Sequence, residues 1–500
     1  MKSLHLSTLF ILLSIVQLIA CSTEPPISSA NIDPIENNFT KTKMDENINT
    51  VVLPSDNPDT ILTMHGSNTI GQKLAPKLVS EYLTSLGAPS VLKMSGKNDN
   101  ETVLQAYIPS SNKIVAVNIH AHGSSTSFAG FQDKDIDIGM SSRPIKESER
   151  SALFVKHGDL SLPENEIVLA MDGLSIIVHP SNGIELLTIS QLADIFSGKI
   201  SNWSQLGGEN LPILLYARDN KSGTYDTFKY LVLKSYKTQL SKQSNRFESN
   251  KQLSQEVNEN PGSIGFTGMA YVLKNKVLKI ASSHGSKYIA PTNFQVNTET
   301  YPLARRLFLY KSARNKTNSH IDQFIKFTTS KTGQNIVKKE KFVSQNIFKY
   351  ENLNISNTPK EYKNATKNLA RLSLNFRLKP NVSTLDSKSH RDLDRLANFL
   401  KQHNISDVTA IGFTGNMSYE KDPLQNIKSN LQRSLRLSYM ISFGLRERGI
   451  RNVKTIGLGT MLPIVADDDK NTIIKNSRVE IWINSNSKPN DNLNKFALNQ

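Results

Sequence analysis

Cysteine occurs once in the 500 residues, at Cys21, so the chain has no pair with which to close an internal disulfide and no cysteine cluster for a metal. Aromatic residues make up only 7%. They are not interleaved with basic residues along any strand, as single-stranded nucleic acid would require, and no zinc-finger spacing or basic recognition helix is legible. The excess of 60 Lys and Arg over 44 Asp and Glu, a formal net charge of +16, therefore points to an anionic ligand or an anionic envelope surface and not to nucleic acid. No His-Glu-x-x-His, Gly-x-Ser-x-Gly or Walker sequence is present, and no carboxylates pair at a recognisable spacing, which argues for binding and against enzyme chemistry, with no cofactor expected. The longest apolar run, Leu4 to Ala20, is broken by His5, Ser7, Thr8, Ser14 and Gln17. It is short for a hydrocarbon core about 30 Å thick, which leaves a transmembrane anchor as the competing reading only.

That run begins after Met1-Lys2 and ends at Leu18-Ile19-Ala20-Cys21, so residues 1–21 read as a secretory signal. Leu-Ile-Ala-Cys resembles the lipobox of bacterial lipoproteins, which implies cleavage before Cys21 and lipidation of Cys21, a membrane anchor made of acyl chains. Ser22 follows, not Asp. By the same resemblance this implies the cell envelope, at the periplasmic face of the outer membrane, with the cell surface as the alternative. Residues 22–57 are rich in Ser, Thr, Asn and Pro and read as a flexible tether.

Residues 58–348 alternate short apolar strands with amphipathic helices, the pattern of an α/β domain on a mostly parallel sheet. Ile61–Met64, Ile114–Ile119 and Leu174–Val178 read as strands, and Leu74, Leu78, Tyr82 and Leu86 mark one face of a helix that stops at Gly87. Thr188 with Gln191 forms a capping box for a helix Ile189–Phe196 that ends at Gly198. An Asn-rich stretch, 349–368, reads as a linker, and 369–486 as a smaller α+β domain in which Leu393, Leu396, Ala397 and Leu400 share one helical face. Residues 487–500 read as a disordered tail.

Three strand ends in the first domain run into small, hydroxyl-rich turns that open helices: Gly66-Ser67-Asn68-Thr69, Gly123-Ser124-Ser125-Thr126 and Ser222-Gly223-Thr224. A helix N-terminus presents unpaired N–H groups and a partial positive charge, and in open α/β sheets ligands sit beyond the carboxyl ends of the strands. Each turn alone reads more readily as an ordinary N-cap. Together with Arg218, a bidentate donor four residues before Ser222, they describe an oxyanion site.

These residues belong to a wider resemblance. Gly66-Ser67-Asn68-Thr69, Asp137 to Pro144, Asp172-Gly173-Leu174, the run Leu192 to Trp203, Arg218 with Ser222-Gly223-Thr224, and Gly262 to Phe266 are similar to the phosphate-binding protein of bacterial phosphate ABC transporters, a type II periplasmic binding protein. The resemblance implies a two-lobed α/β fold closing over phosphate, with a phosphate ABC permease as partner. It implies phosphate binding by Ser67, Thr69 and the Ile70 amide, by Ser124, Ser125 and Thr126, by Ser142 and Arg143, and by Arg218, Ser222, Gly223 and Thr224. Ser142 stands where many members carry an Asp that accepts a proton from phosphate. His65 and His122 each precede a glycine of these loops and are alternative acceptors. His120 and His122, two apart on one strand face, also admit a metal reading, but no third ligand is legible and no metal is expected.

The last domain resembles the OmpA-like module of envelope proteins through Phe376, Leu385, Ile411-Gly412-Phe413-Thr414, Asn430 with Ser434, Gly449-Ile450, Gly457-Leu458-Gly459, Pro463 and Asn476 to Glu480. That resemblance implies contact with peptidoglycan, yet Gly415 and Leu437 stand at the positions of its two charged ligand groups. Arg436 adjoins Leu437, and Asn416 or Arg433 are other candidates. The combined expectation is a lipid-anchored phosphate receptor with a wall-associating module. The rivals are an adhesion or wall-tethering protein built on the same folds and a phosphatase.

Overall fold

The computed structural model describes residues 58–133, 136–314, 318–350, 358–377, 385–416, 422–466 and 473–487. The signal segment, Cys21, nearly all of the tether and the tail beyond 487 lie outside the described residues. Among the described residues no helix is long and apolar enough to cross a membrane.

Residues 58–348 are built on an 11-stranded mixed sheet, not the mostly parallel one expected: four strand pairings are parallel and six antiparallel. Along it lie Leu92–Ser95, Glu101–Ile108, Lys113–His120, Asp59–Gly66, Ile138–Ser141, Ala304–Lys311, Glu166–Val178, Ser263–Gly268, Leu214–Arg218 and Asn245–Phe247, with Lys276–Val277 paired to the end of Glu166–Val178 beside this path. Two of these strands tie the halves together. The first part of Glu166–Val178 pairs antiparallel with Ala304–Lys311, whose far end pairs with Ile138–Ser141. The second part, from Leu174, pairs with Ser263–Gly268. The chain thus crosses from a first lobe to a second near Asp172–Leu174 and returns near Tyr301–Arg305.

The cores explain why. One apolar cluster joins Leu62, Met64, Leu78, Val117, Ile138, Leu169, Leu307 and Phe324 in the first lobe. Another starts on the opposite face of the same strands, at Val168 and Phe308 under Phe131 of the helix Ser124–Asp133, and continues through Leu174, Ile176, Leu192, Phe196, Phe228 and Phe266 into the second lobe. All 13 residues of Glu166–Val178 are buried, which is why its sequence is a near-continuous apolar run without alternation. Each fully buried Leu, Ile or Phe contributes about 1.5–3 kcal/mol.

Local signals in the sequence act where they stand. The Thr188 hydroxyl accepts from Gln191 N at 3.2 Å while Gln191 Oε1 accepts from Thr188 N at 2.8 Å, and Gly198 at φ +85 stops the helix Ile189–Ser197. The predicted helix from Leu74 runs to Ser85 and buries Leu74, Leu78 and Tyr82.

The C-terminal part is a 5-stranded sheet in the order Lys349–Tyr350, Leu369–Arg377, Arg478–Asn484, Val408–Phe413, Val453–Gly457. The helices Ser387–Gln402 and Pro423–Glu447 pack on it, with Leu393, Leu396, Ala397 and Leu400 buried. The stretch read as a linker is corrected at both ends. Lys349–Tyr350 extends this sheet, and Lys360–Ala365 forms a helix that buries Tyr362, whose hydroxyl donates to Glu480 Oε2 at 3.1 Å. Its Asn-rich composition hid one aromatic anchor.

Candidate functional site

The three hydroxyl-rich turns come from different lobes and meet. Ser67 stands at the N-cap of the short helix Asn68–Gly71, and Ser124 opens the helix Ser124–Asp133, both in the first lobe. Ser222 caps the helix Gly223–Phe228 of the second, its hydroxyl accepting from Thr224 N at 3.2 Å and Tyr225 N at 3.4 Å. Thr69 Oγ1 lies 3.2 Å from Thr224 Oγ1, which joins the lobes directly. Ser124 Oγ lies 3.2 Å from Ser142 Oγ and accepts from Ser142 N at 2.9 Å. A side chain at Gly223 would overlap Ser124 Oγ, so only glycine lets the second lobe approach this closely. Gly123, at φ +102, is likewise packed against the carbonyl of Lys221 across the cleft.

Arg218 ends its strand inside this junction with no exposed surface. Its guanidinium donates to Asn250 Oδ1 at 2.5 Å, Asn68 Oδ1 at 3.3 Å and Phe247 O at 3.1 Å, and to Glu248 O. All four acceptors are neutral, and none of the ion pairs among the described residues includes Arg218. Burial pushes its pKa down to about 10. A buried cation without a counter-charge is costly unless an anion joins it.

Sequence reasoning missed the second cation. Arg305, on the returning strand, donates through Nη1 to Thr224 Oγ1 at 2.8 Å and through Nη2 to Thr69 Oγ1 at 3.4 Å. It is paired with fully buried Asp172, at 2.6 Å from Nη2 and 2.9 Å from Nε, and Asp172 also accepts from Met269 N at 3.0 Å. Asn250, equally unforeseen, donates to Thr69 Oγ1 at 3.5 Å. The available signal was a pair of arginines, Arg305-Arg306, leading into the apolar run Leu307-Phe308-Leu309 of one strand.

Not every predicted residue joins this cluster. Arg143 is a correction: its guanidinium is turned to Glu149, at 2.6 and 2.7 Å, and to Asp226, at 2.8 Å. Against burial, these carboxylates hold its pKa above the ordinary arginine value, so its charge is already neutralised. Ser125 is half-buried; its hydroxyl accepts from Arg143 Nη2 at 3.5 Å and its amide donates to Lys221 O at 3.5 Å. Thr126 donates to Gly123 O at 2.9 Å, as an ordinary turn residue does. Ser67 is buried and its carbonyl accepts from Ile70 N at 3.2 Å, while the Ile70 side chain lies in the first-lobe core.

The histidines are engaged elsewhere. His120 Nδ1 and His122 Nε2 lie 3.0 and 3.1 Å from one oxygen of Glu101, and His122 Nδ1 lies 3.3 Å from Glu248. Although burial opposes it, hydrogen bonds from Asn98, His120 and His122 hold the Glu101 carboxyl well below the usual range. His65 is stacked on His120 with ring centroids 4.3 Å apart. Among the described residues no group of three or more His, Cys, Asp or Glu is arranged to hold a metal ion.

In the C-terminal part Gly415 N donates to Ser477 Oγ at 3.3 Å, and Asn416 Oδ1 accepts from Asn426 and Asn430 at 3.2 and 3.3 Å. Arg433 donates to Asn430 at 2.9 Å, Arg436 is exposed, and Leu437 packs on the core.

Residues 83–332 match the family model described as a PBP superfamily domain. The phosphate-binding protein PstS of Borreliella burgdorferi is 31% identical over 51% of this chain and 89% of its own length. Protein SphX of Synechococcus elongatus is 32% identical over 45% of this chain and 67% of its own length. The crystal structure of an ABC-type phosphate transport receptor from Vibrio cholerae is similar at a TM-score of 0.43 and 22% identity, covering 56% of this chain and 99% of that one.

Proposed function

This chain belongs to the PBP superfamily, in the family of the phosphate-binding protein it matches at 31% identity, and from that membership we propose that residues 58–348 are a phosphate receptor of the cell envelope. The observation that carries the reading is Arg218, a fully buried guanidinium whose partners are all neutral and one of which, Asn250, also donates to the Thr69 hydroxyl that faces Thr224 across the lobes. A small tetrahedral anion supplies the missing charge, accepts from these donors and from the Gly223 amide, and shares the Ile70 and Thr224 amides with Ser67 O and Ser222 Oγ. The arrangement holds donors in quantity, while Asp172, the carboxylate beside Arg305, is committed to Arg305 and to a backbone amide. That favours holding an oxyanion over cleaving an ester. A phosphate ABC permease is the proposed receiver of the ligand.

Calorimetry of anion-stripped protein against phosphate, sulfate and molybdate tests this directly. Phosphate binding tighter than millimolar is expected, and its absence would sink the proposal. Selectivity turns on Ser142, which is buried beside Ser124. A carboxylate there accepts the proton of hydrogen phosphate and repels fully ionised sulfate, so Ser142→Asp is expected to raise the phosphate-to-sulfate affinity ratio by about tenfold or more, the worth of one contact of about 1–3 kcal/mol. An unchanged ratio removes Ser142 from the ligand's reach.

Cys21 is proposed as the lipidated residue that anchors the receptor, with the tether spanning to the folded part. Acylation needs the sulfur, so Cys21→Ser is expected to move the protein from the detergent-extracted membrane fraction to the soluble one or to stall its processing. Unchanged fractionation contradicts the anchor. The C-terminal part is proposed as an OmpA-like, envelope-associating module with little grip on peptidoglycan, because Gly415 and Leu437 bring no charge to a zwitterionic ligand.

A further inference from the structure

Arg305 and Arg306 are neighbours on one strand, and a strand sends successive side chains to opposite faces. Arg305 turns into the anion junction between the lobes. Arg306 turns the other way, to Glu299 at 2.6 Å and to Asp386 at 2.7 Å. Asp386 belongs to the C-terminal part, where its carboxylate caps the helix Ser387–Gln402 by accepting from Ser389 N at 2.8 Å. The segment that carries an anion-site cation therefore also carries the joint to the next domain.

Around Arg306 the C-terminal part touches both lobes. On the first, Ser387 Oγ donates to buried Glu166 Oε1 at 2.5 Å, Arg391 reaches the carbonyl of Pro163 and Arg395 that of Gln345. On the second, Asn375 donates to Thr298 O at 2.9 Å, Arg377 to Glu299 O at 2.7 Å, and Ala466 N to Ser286 Oγ at 3.1 Å. Glu299, beside the returning crossover, sits at φ +54, a left-handed conformation that a non-glycine residue holds only when its surroundings impose it. Here Arg306 grips its carboxylate and Arg377 its carbonyl.

We propose that the C-terminal part is a clamp laid across the hinge, so that its docking and the closure of the lobes on the anion form one coupled equilibrium. Opening the lobes swings the Thr298–Glu299 and Ser286 contacts away from those at Pro163, Glu166 and Gln345, and a rigid domain cannot follow both. Coupling of this kind is reciprocal. Anion binding tightens the docked state, and a pull on the C-terminal part, such as attachment to the envelope, loosens the anion. The anion half of the inference rests on the phosphate reading, whereas the clamp half does not.

The test uses the full chain with Cys21→Ser and spin labels on Thr84→Cys and Glu209→Cys, two exposed positions on the first and second lobes. Asp386→Ser with Ser387→Glu releases the joint: serine keeps the helix cap but is too short for Arg306, and the new carboxylate faces Glu166. Ser387→Glu alone is the milder variant if the double change does not fold, and hydrogen exchange over 387–402 verifies release. Release is expected to lengthen and broaden the interlobe distances without phosphate, and to weaken phosphate binding at least fivefold, within the usual range of such couplings. Unchanged distances after verified release overturn the clamp. Longer distances that millimolar phosphate fails to shorten uphold the clamp and refute the phosphate reading alone.

Discussion

Arg218→Ala is expected to weaken phosphate binding by about 2–5 kcal/mol, from roughly 30-fold to several thousandfold, the usual cost of removing one partner of a desolvated charge pair. Its guanidinium is the one charge in the junction without a carboxylate partner among the described residues, and burial has already drawn its pKa down to about 10. The bound anion therefore answers to it more than to Arg305, whose charge is shared with Asp172 at 2.6 Å. Calorimetry reads the affinity and thermal unfolding the stability. The two should separate. Without anion, removing an uncompensated buried cation offsets much of what the lost hydrogen bonds to Asn250 and Phe247 cost, so the ligand-free unfolding midpoint should move far less than the affinity. The phosphate-induced rise in that midpoint should shrink or vanish. Equal phosphate affinity in parent and variant would take Arg218 out of the site.

The largest loss of stability is expected at Asp172→Ala. Asp172 is fully buried, holds Arg305 through two hydrogen bonds and accepts from the Met269 amide. Its removal leaves Arg305 and Arg218 both buried, with neither in an ion pair with a carboxylate among the described residues. Breaking a buried pair in this way costs about 3–5 kcal/mol, read as a fall in the denaturant midpoint measured without anion. Saturating phosphate should recover a larger share of stability in the variant than in the parent, because the anion then neutralises two cations. An unchanged midpoint would mean that Arg305 finds another partner and that the pair is not what holds the crossover.

Local structure was the more legible part. The capping box at Thr188 and Gln191, the stop at Gly198 and the helix over Leu74 lie where the sequence puts them, because each depends on contacts within four residues. The hydroxyl turns were legible for the same reason, as small residues at strand ends that open helices. Arg143 was misread because its sequence neighbours do not reveal Asp226, 83 residues away, which with Glu149 consumes its charge. The linker was misread because one buried Tyr362 outweighs a polar composition once Glu480, 118 residues on, is there to receive its hydroxyl.

The sequence by itself determined the class of the first domain, through alternating strands and capped helices, and the donor chemistry of its turns, through hydroxyls and an arginine in short reach of one another. Only the tertiary structure decided which cations are left without a partner. Thr69 and Thr224 are 155 residues apart, and Arg305 reaches Asp172 over 133. Whether a charge is neutralised depends on groups within about 4–6 Å in space, at any distance along the chain. The same holds for the proposed clamp: alternation along a strand fixes that Arg305 and Arg306 face opposite ways, but only the packed fold supplies the hydroxyl-lined interlobe junction on one side and Asp386 on the other.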